Sequence, residues 1–253
     1  MKTEGQEWYK NIWTLDIKNA SWVEDTENQV NFIIKTLGLT GKERILDLAC
    51  GFGRHSLSFA QKGYSVVGVD FTKDFIDDAR ASAKKMSLSV EFIHSDIRDT
   101  SFNNEFDVVL SLADGSIGYY DNDEDNLKTF DKIASALKPG GKYFLDHMNA
   151  EYAENCFPYR GWEIGEKALA IVLLEWDKER RRMMEFDWDV PYGLPAIKPV
   201  ISKDVTIRLY SKAELQTIFD QRQMRIIDTF SNYYGKKDSC YDLQLMVYSQ
   251  KNK

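Results

Sequence analysis

With 253 residues, 43% of them hydrophobic and 29% charged, the chain suits one large α/β domain, or one domain carrying an inserted subdomain, and lies far from disordered compositions. Its 40 acidic and 33 basic side chains leave a net charge of −7, which weighs against nucleic-acid partners, whose phosphates draw on a basic face. No run approaches the roughly 18 apolar residues of a membrane span, residues 1–8 hold no signal-like apolar core, and Cys50, Cys156 and Cys240 are too scattered for a disulfide framework or zinc site. A cytoplasmic protein, monomer or homodimer, without membrane or metal is expected.

Residues 1–40 carry Trp8, Tyr9, Trp13 and Trp22 ahead of a helical stripe of Val30, Ile33, Ile34 and Leu37 that stops at Gly38, and form an expected aromatic-rich helical lid. Apolar runs at 45–48, 66–69, 90–93, 106–112 and 143–145 then read as strands. Between them, Thr72 caps a helix bearing Phe75, Ile76, Ala79 and Ala83, and a second helix striped by Phe130, Ile133, Ala134 and Leu137 stops at Pro139-Gly140-Gly141. Strands alternating with helices imply parallel pairing. After Asn149 three antiparallel strands are expected, at 169–176, 184–190 and 205–210, with the charged run 178–182 as a solvated hairpin turn. Ser211 and Glu214 make a capping box that opens a last helix, and runs at 224–227 and 243–248 close the chain as strands. The expected fold is α/β: a doubly wound, mostly parallel seven-stranded sheet with an antiparallel last strand over 41–149 and 211–253. Residues 150–210 form a small antiparallel β insertion, a substrate cap or dimer contact.

The strand at 45–48 runs into Ala49-Cys50-Gly51-Phe52-Gly53-Arg54-His55, a glycine turn that opens a helix. Gly51 and Gly53 let a ligand approach the backbone, because a Cβ would occupy that space. Asp70 ends the next strand, 19 residues after Gly51, where a carboxylate accepts hydrogen bonds from a ribose diol. Two nucleoside cofactors suit such a site, a nicotinamide dinucleotide and S-adenosylmethionine. The dinucleotide fingerprint wants a third glycine where Ser56 stands, and Asp47 would repel a pyrophosphate while suiting the ammonium of a methionine moiety.

Five ordered pieces, DLACGFGRH at 47–55, VVGVD at 66–70, HSDIRD at 94–99, FDVVLSL at 106–112 and LKPGG at 137–141, resemble the class I, Rossmann-like methyltransferases. The likeness is nearest to small bacterial members with an antiparallel insertion before the sixth strand. It implies S-adenosylmethionine as cofactor, with Asp47, Ala49, Gly51 and Gly53 around the methionine part, Arg54 among the cofactor-binding residues, and Asp70 with Phe71 at the ribose. Asp96 and Ile97 would meet the adenine, and Leu112 would line the pocket. Ala113-Asp114-Gly115-Ser116 stands where enzymes that methylate base amines carry their N/D-P-P-Y/F signature, so that subclass is disfavoured.

Methyl transfer from a sulfonium is an in-line displacement, so the protein chiefly aligns its reactants and excludes water. If a base is used, His147 at the end of the fifth strand is the first candidate and Tyr119 the second. His55 and His94 read as structural. The tryptophans and Tyr9 are candidates to cover the sulfonium by cation–π contact, with plain helix packing as the simpler account. In Met184 to Val190 the acids 185, 187 and 189 share one strand face. Such a face ordinarily meets solvent; if it caps the cleft, it would attract an amine, which tips the reading toward N- rather than O-methylation of a small molecule. The alternatives are an NAD-dependent oxidoreductase and a non-catalytic S-adenosylmethionine-binding protein.

Overall fold

Seven strands hydrogen-bond into one sheet in the computed structural model, which describes residues 8–19, 23–113, 116–164, 168–197 and 205–253. Strands β1 (Arg44–Leu48), β2 (Ser65–Asp70), β3 (Val90–His94), β4 (Phe106–Ser111) and β5 (Leu137–Met148) pair in parallel. Strand β11 (Gln244–Lys251) runs antiparallel between β5 and β10 (Met224–Phe230). The order β10-β11-β5-β4-β1-β2-β3 reverses between β1 and β4, and loops leaving the carboxyl ends of strands at such a reversal part to leave a crevice.

Helices cover both faces, which is why the inner strands are apolar on both. On one face Leu46 and Leu48 share a core with Phe130 and Ile133 of α5 (Asp123–Ala136) and Phe219 of α7 (Lys212–Asp220). On the other, Ile45 joins Ile33 of α2 (Thr26–Leu37) and Phe59 of α3 (Arg54–Gln61). Helix α4 (Lys73–Lys85) adds Ile76 and Ala79 against Phe92. Gly38 ends α2 in the left-handed conformation, and the capping box of Ser211 and Glu214 opens α7 with both reciprocal bonds, as the sequence indicates. Thr72 occupies its cap position without a side-chain capping bond.

Three expectations need correction. Strand β5 starts at Leu137, which pairs with Phe106, rather than at Tyr143, because the residue before Pro139 is driven to extended backbone and ends α5 early. The region 150–210 opens with α6 (Ala150–Cys156) and, among the described residues, holds four antiparallel strands, not three: β6 (Tyr159–Ile164), β7 (Ala168–Asp177), β8 (Arg182–Pro191) and β9 (Thr206–Arg208). Gly161 interrupts the apolar pattern of β6, an edge strand, and hides it from periodicity.

The charged run is the third correction, since only part of it is a solvated turn. Arg182 is buried and donates to the Tyr120 carbonyl at 3.0 Å and to Thr206 Oγ1 at 2.7 Å. Arg181 reaches Glu154 at 2.6 Å and Glu214 at 2.8 Å. Glu214 also accepts from Arg208 at 2.6 Å, and the Arg208 amide donates to the Gly118 carbonyl at 2.8 Å. These bonds fasten the four-stranded sheet to the loop after β4 and to the start of α7. Each charge-assisted bond between partly buried groups contributes about 1.5–3 kcal/mol.

Candidate active site

The turn after β1 is shaped by backbone that few residues adopt. Ala49, Gly51 and Gly53 have φ values of 55°, 57° and 79°. A Cβ on Gly53 would lie 2.8 Å from the Phe92 ring, so this glycine serves close packing of the turn on β3, and it does not line the cleft. A Cβ on Gly51 would meet nothing nearer than Phe75 at 3.8 Å. What Gly51 keeps open is therefore cleft space and not room for a neighbour.

Asp70 is buried at the carboxyl end of β2 and takes the Gly51 amide at 2.9 Å and the Thr72 amide at 2.7 Å. Burial, opposed by these two bonds, raises its carboxyl above the usual range. It faces the cleft together with Ala49, Gly51, Arg54, Phe71 and Leu112, all sequence-indicated cofactor residues. His94 holds this side in place through a 2.7 Å contact from Nε2 to the Phe71 carbonyl. Ser116 also lines the cleft, and its buried Oγ has no hydrogen-bond partner among the described residues.

Asp47, by contrast, lies beneath the turn. It is 2% exposed and accepts a 2.6 Å bond from Ser56, the residue that stands where a dinucleotide site would carry its third glycine. Burial, partly offset by that hydroxyl, pushes its carboxyl up to about 6. Asp96 and Ile97 are not brought to the cleft wall: Ile97 is buried in the core beside Leu48 and Val69. Asp96 caps a short 3-10 helix and binds Arg98 through two side-chain contacts of 2.7 and 3.1 Å. Against the cost of burial, that guanidinium holds the Asp96 carboxyl below its usual range.

A second and larger cavity, of about 940 Å³, meets the cleft at Trp13, Ile17, Arg54, Ala113 and Tyr119, which line both. The aromatic lead-in forms part of its wall: Trp8 sits 5.1 Å from the Tyr119 ring, and Tyr9, in α1 (Tyr9–Ile12), packs edge-on to Phe71 at 5.5 Å. Trp22, Asp114 and Gly115 lie outside the described residues, as does the side chain of Asp187. The acid-bearing face of β8 turns inward in part, with Glu185 lining this cavity while Asp189 is exposed.

Of the two candidate bases, Tyr119 stands where the cavities meet and His147 does not line either. His147 is 2% exposed and faces Tyr210, and burial pushes its imidazole down to about 3. Its neighbour Asp146 reaches the large cavity instead, taking the Tyr233 hydroxyl at 2.6 Å and the Gln244 side-chain amide. Asp146, Tyr233 and Gln244 were not indicated by the sequence. They come from β5, the loop after β10 and the start of β11, and no local motif joins them.

Residues 45–141 match the family model of a methyltransferase domain. The YqeM protein of Bacillus subtilis is 36% identical over 118 residues, 46% of this chain and 47% of that one. The glycine/sarcosine N-methyltransferase of Aphanothece halophytica is 31% identical over 131 residues, 51% of this chain and 49% of that one. The chain thus spans about half the length of these relatives. An S-adenosylmethionine-dependent methyltransferase from Clostridium acetobutylicum shares the fold with a TM-score of 0.74 at 18% identity, covering 94% of this chain and 97% of the other. Strand order, glycine turn and family match thus agree: residues 45–141 are similar to a methyltransferase domain, and the described fold is that of the Clostridium acetobutylicum methyltransferase.

Proposed function

We propose that the protein transfers a methyl group from S-adenosylmethionine to a small-molecule amine. The carrying observation is the large cavity that opens on the cofactor cleft. Among the described residues, three carboxylates, Asp25, Asp146 and Glu185, line it against one guanidinium, that of Arg54, with aromatic walls from Trp8, Trp13 and Tyr119. Such a lining favours a cation with an apolar body. Relatives bear the names of both glycine/sarcosine N-methyltransferases and ubiquinone O-methyltransferases, so the preference for nitrogen rests on this charge and not on kinship.

The cleft fits the cofactor. Gly51 leaves open the space a Cβ would fill, Asp70 keeps lone pairs beyond its two backbone bonds, and Ser116 holds an unpaired hydroxyl. In this reading Asp70 takes the ribose, Phe71 and Leu112 flank the base, and Ala49 with Gly51 borders the methionine part. When bound, the cofactor supplies an electrophilic methyl carbon. The residues at the junction, Trp13, Ala113 and Tyr119, then align the acceptor nitrogen with it and keep water out; the nitrogen attacks as the free amine, after its ammonium has given up one proton to a cavity carboxylate or to solvent. Neither the oxidoreductase nor the non-catalytic alternative gains support from the relatives.

Titration calorimetry with S-adenosylhomocysteine and with NAD tests the cofactor, and mass spectrometry of amines incubated with labelled methyl donor tests the acceptor. Binding of NAD with no binding of S-adenosylhomocysteine overturns the reading; methylation confined to hydroxyls overturns its nitrogen half.

A further inference from the structure

The geometry points to Asp146 as the carboxylate that binds and orients the acceptor's ammonium group, with Tyr233 and Gln244 as its positioning residues. This inference rests on the amine-methylating reading. Among the acids lining the large cavity, Asp146 has its carboxyl held by two side chains, and its electrostatic neighbours Ala113 and Arg54 line both the cavity and the cleft. Asp25 sits at the start of α2 and receives the Asn28 side chain at 3.3 Å, and Glu185 comes from the insertion.

Asp146 is 4% exposed, yet it lines the cavity. Tyr233 donates to one of its oxygens and Gln244 to the other. A carboxylate offers about four acceptor directions, so acceptor capacity remains for a ligand. The two donors come from separate elements and orient the carboxyl, so a cation bound there is held in direction as well as attracted. A second feature of the same cavity speaks for a polar occupant: Trp8 lines it, and its buried Nε1 has no hydrogen-bond partner among the described residues. Leaving such a donor unpaired is costly, and a ligand oxygen or nitrogen lone pair would relieve the cost.

Three probes of one shape separate charge from fit: tryptamine, its alcohol analogue tryptophol, and indole-3-acetate, each titrated into the protein saturated with S-adenosylhomocysteine. The wild type is expected to bind tryptamine most tightly and indole-3-acetate least. Asp146→Asn should cut the tryptamine-to-tryptophol affinity ratio roughly tenfold to a hundredfold, the worth of a charge-assisted hydrogen bond, while S-adenosylhomocysteine affinity holds. Tyr233→Phe keeps the charge and removes one positioning bond; it should lower the ratio by a smaller factor, and it serves alone if the asparagine variant does not fold. If the wild type fails to bind S-adenosylhomocysteine, or does not favour tryptamine, the amine reading fails and takes this inference with it. If the wild type favours tryptamine and both variants keep that preference, or Glu185→Gln abolishes it instead, the assignment to Asp146 alone is overturned.

Discussion

Replacing Gly118 with alanine tests how the insertion is fastened to the cofactor-binding unit. Gly118 has a φ of +86°, and a Cβ there would lie 2.0 Å from the Arg208 carbonyl oxygen and 2.9 Å from its carbonyl carbon. Both obstacles are backbone, so no rotamer change relieves them. Restoring an ordinary carbon–oxygen contact of about 3.3 Å drives β9 back by roughly an ångström and stretches the 2.8 Å bond from the Arg208 amide to the Gly118 carbonyl. The left-handed backbone costs alanine about 1–2 kcal/mol, the weakened bond about 1 kcal/mol, and residual crowding about 1 kcal/mol or more. A loss of about 3–4 kcal/mol is expected in urea denaturation. Hydrogen exchange at the Arg208 amide should quicken roughly a hundredfold or more. Tryptamine affinity should fall with it, because Tyr119, next in the chain, lines the junction of the two cavities. An unfolding midpoint within about 0.5 kcal/mol of wild type, with the Arg208 amide still protected, would refute the argument.

Gly51→Val puts a branched side chain at φ +57° into open cleft space and should abolish S-adenosylhomocysteine binding by calorimetry while the protein stays folded. Asp70→Ala removes the proposed ribose acceptor and releases the Gly51 and Thr72 amides, so binding should weaken by about 1–3 kcal/mol; wild-type affinity in that variant would remove Asp70 from the site. Asp47, titrating near 6, is more fully ionised when a cationic ligand lies close, so S-adenosylhomocysteine affinity should rise from about pH 5 to about pH 7 with proton release, seen as buffer-dependent heat. A flat profile counts against Asp47 sensing the ligand's ammonium. For His147 the folded value near 3 lies below the unfolded 6.5, so the unfolded chain takes up the extra proton between these values and stability is lost as pH falls through that window. The deficit is about 2 kcal/mol at pH 5, and His147→Gln should remove it from a pH series of urea denaturations; an unchanged acid slope would show the imidazole already charged.

The parts of the site that the sequence makes legible are those built from near neighbours. A strand, a glycine turn and a helix start follow one another within residues 45–56, and the count to Asp70 follows from one strand-helix-strand unit. The capping box at Ser211 is legible for the same reason. Arg182 is not, because a basic run between two strands carries no sign of where its side chains end: this one reaches the Tyr120 carbonyl, 62 residues away. Nor does the family pattern show that Asp96 caps its own short turn and engages Arg98 two positions on, a contact set by that neighbour and not by the motif.

His147 and Asp146 show how one position along a strand decides which side of the sheet a side chain meets. Residue type and strand end both favour the histidine, yet alternation sends neighbours to opposite faces. Strand β5 is buried on both sides, so its run of Tyr143, Phe144 and Leu145 has no polar alternation from which parity can be read. The parity was nonetheless encoded one strand away. Leu112 was already indicated as a cleft residue, and Leu110 shares its face and lies in register with Phe144 on the neighbouring parallel strand. Two residues after Phe144, Asp146 keeps to that face of β5, and Leu112 packs in the same core as Leu110, while His147 follows Tyr143 and Leu145 to the other side and meets Tyr210. The cleft residue just after β4, together with the parallel register of β4 and β5, thus puts Asp146 and not His147 on the cavity side of the sheet without any knowledge of side-chain chemistry.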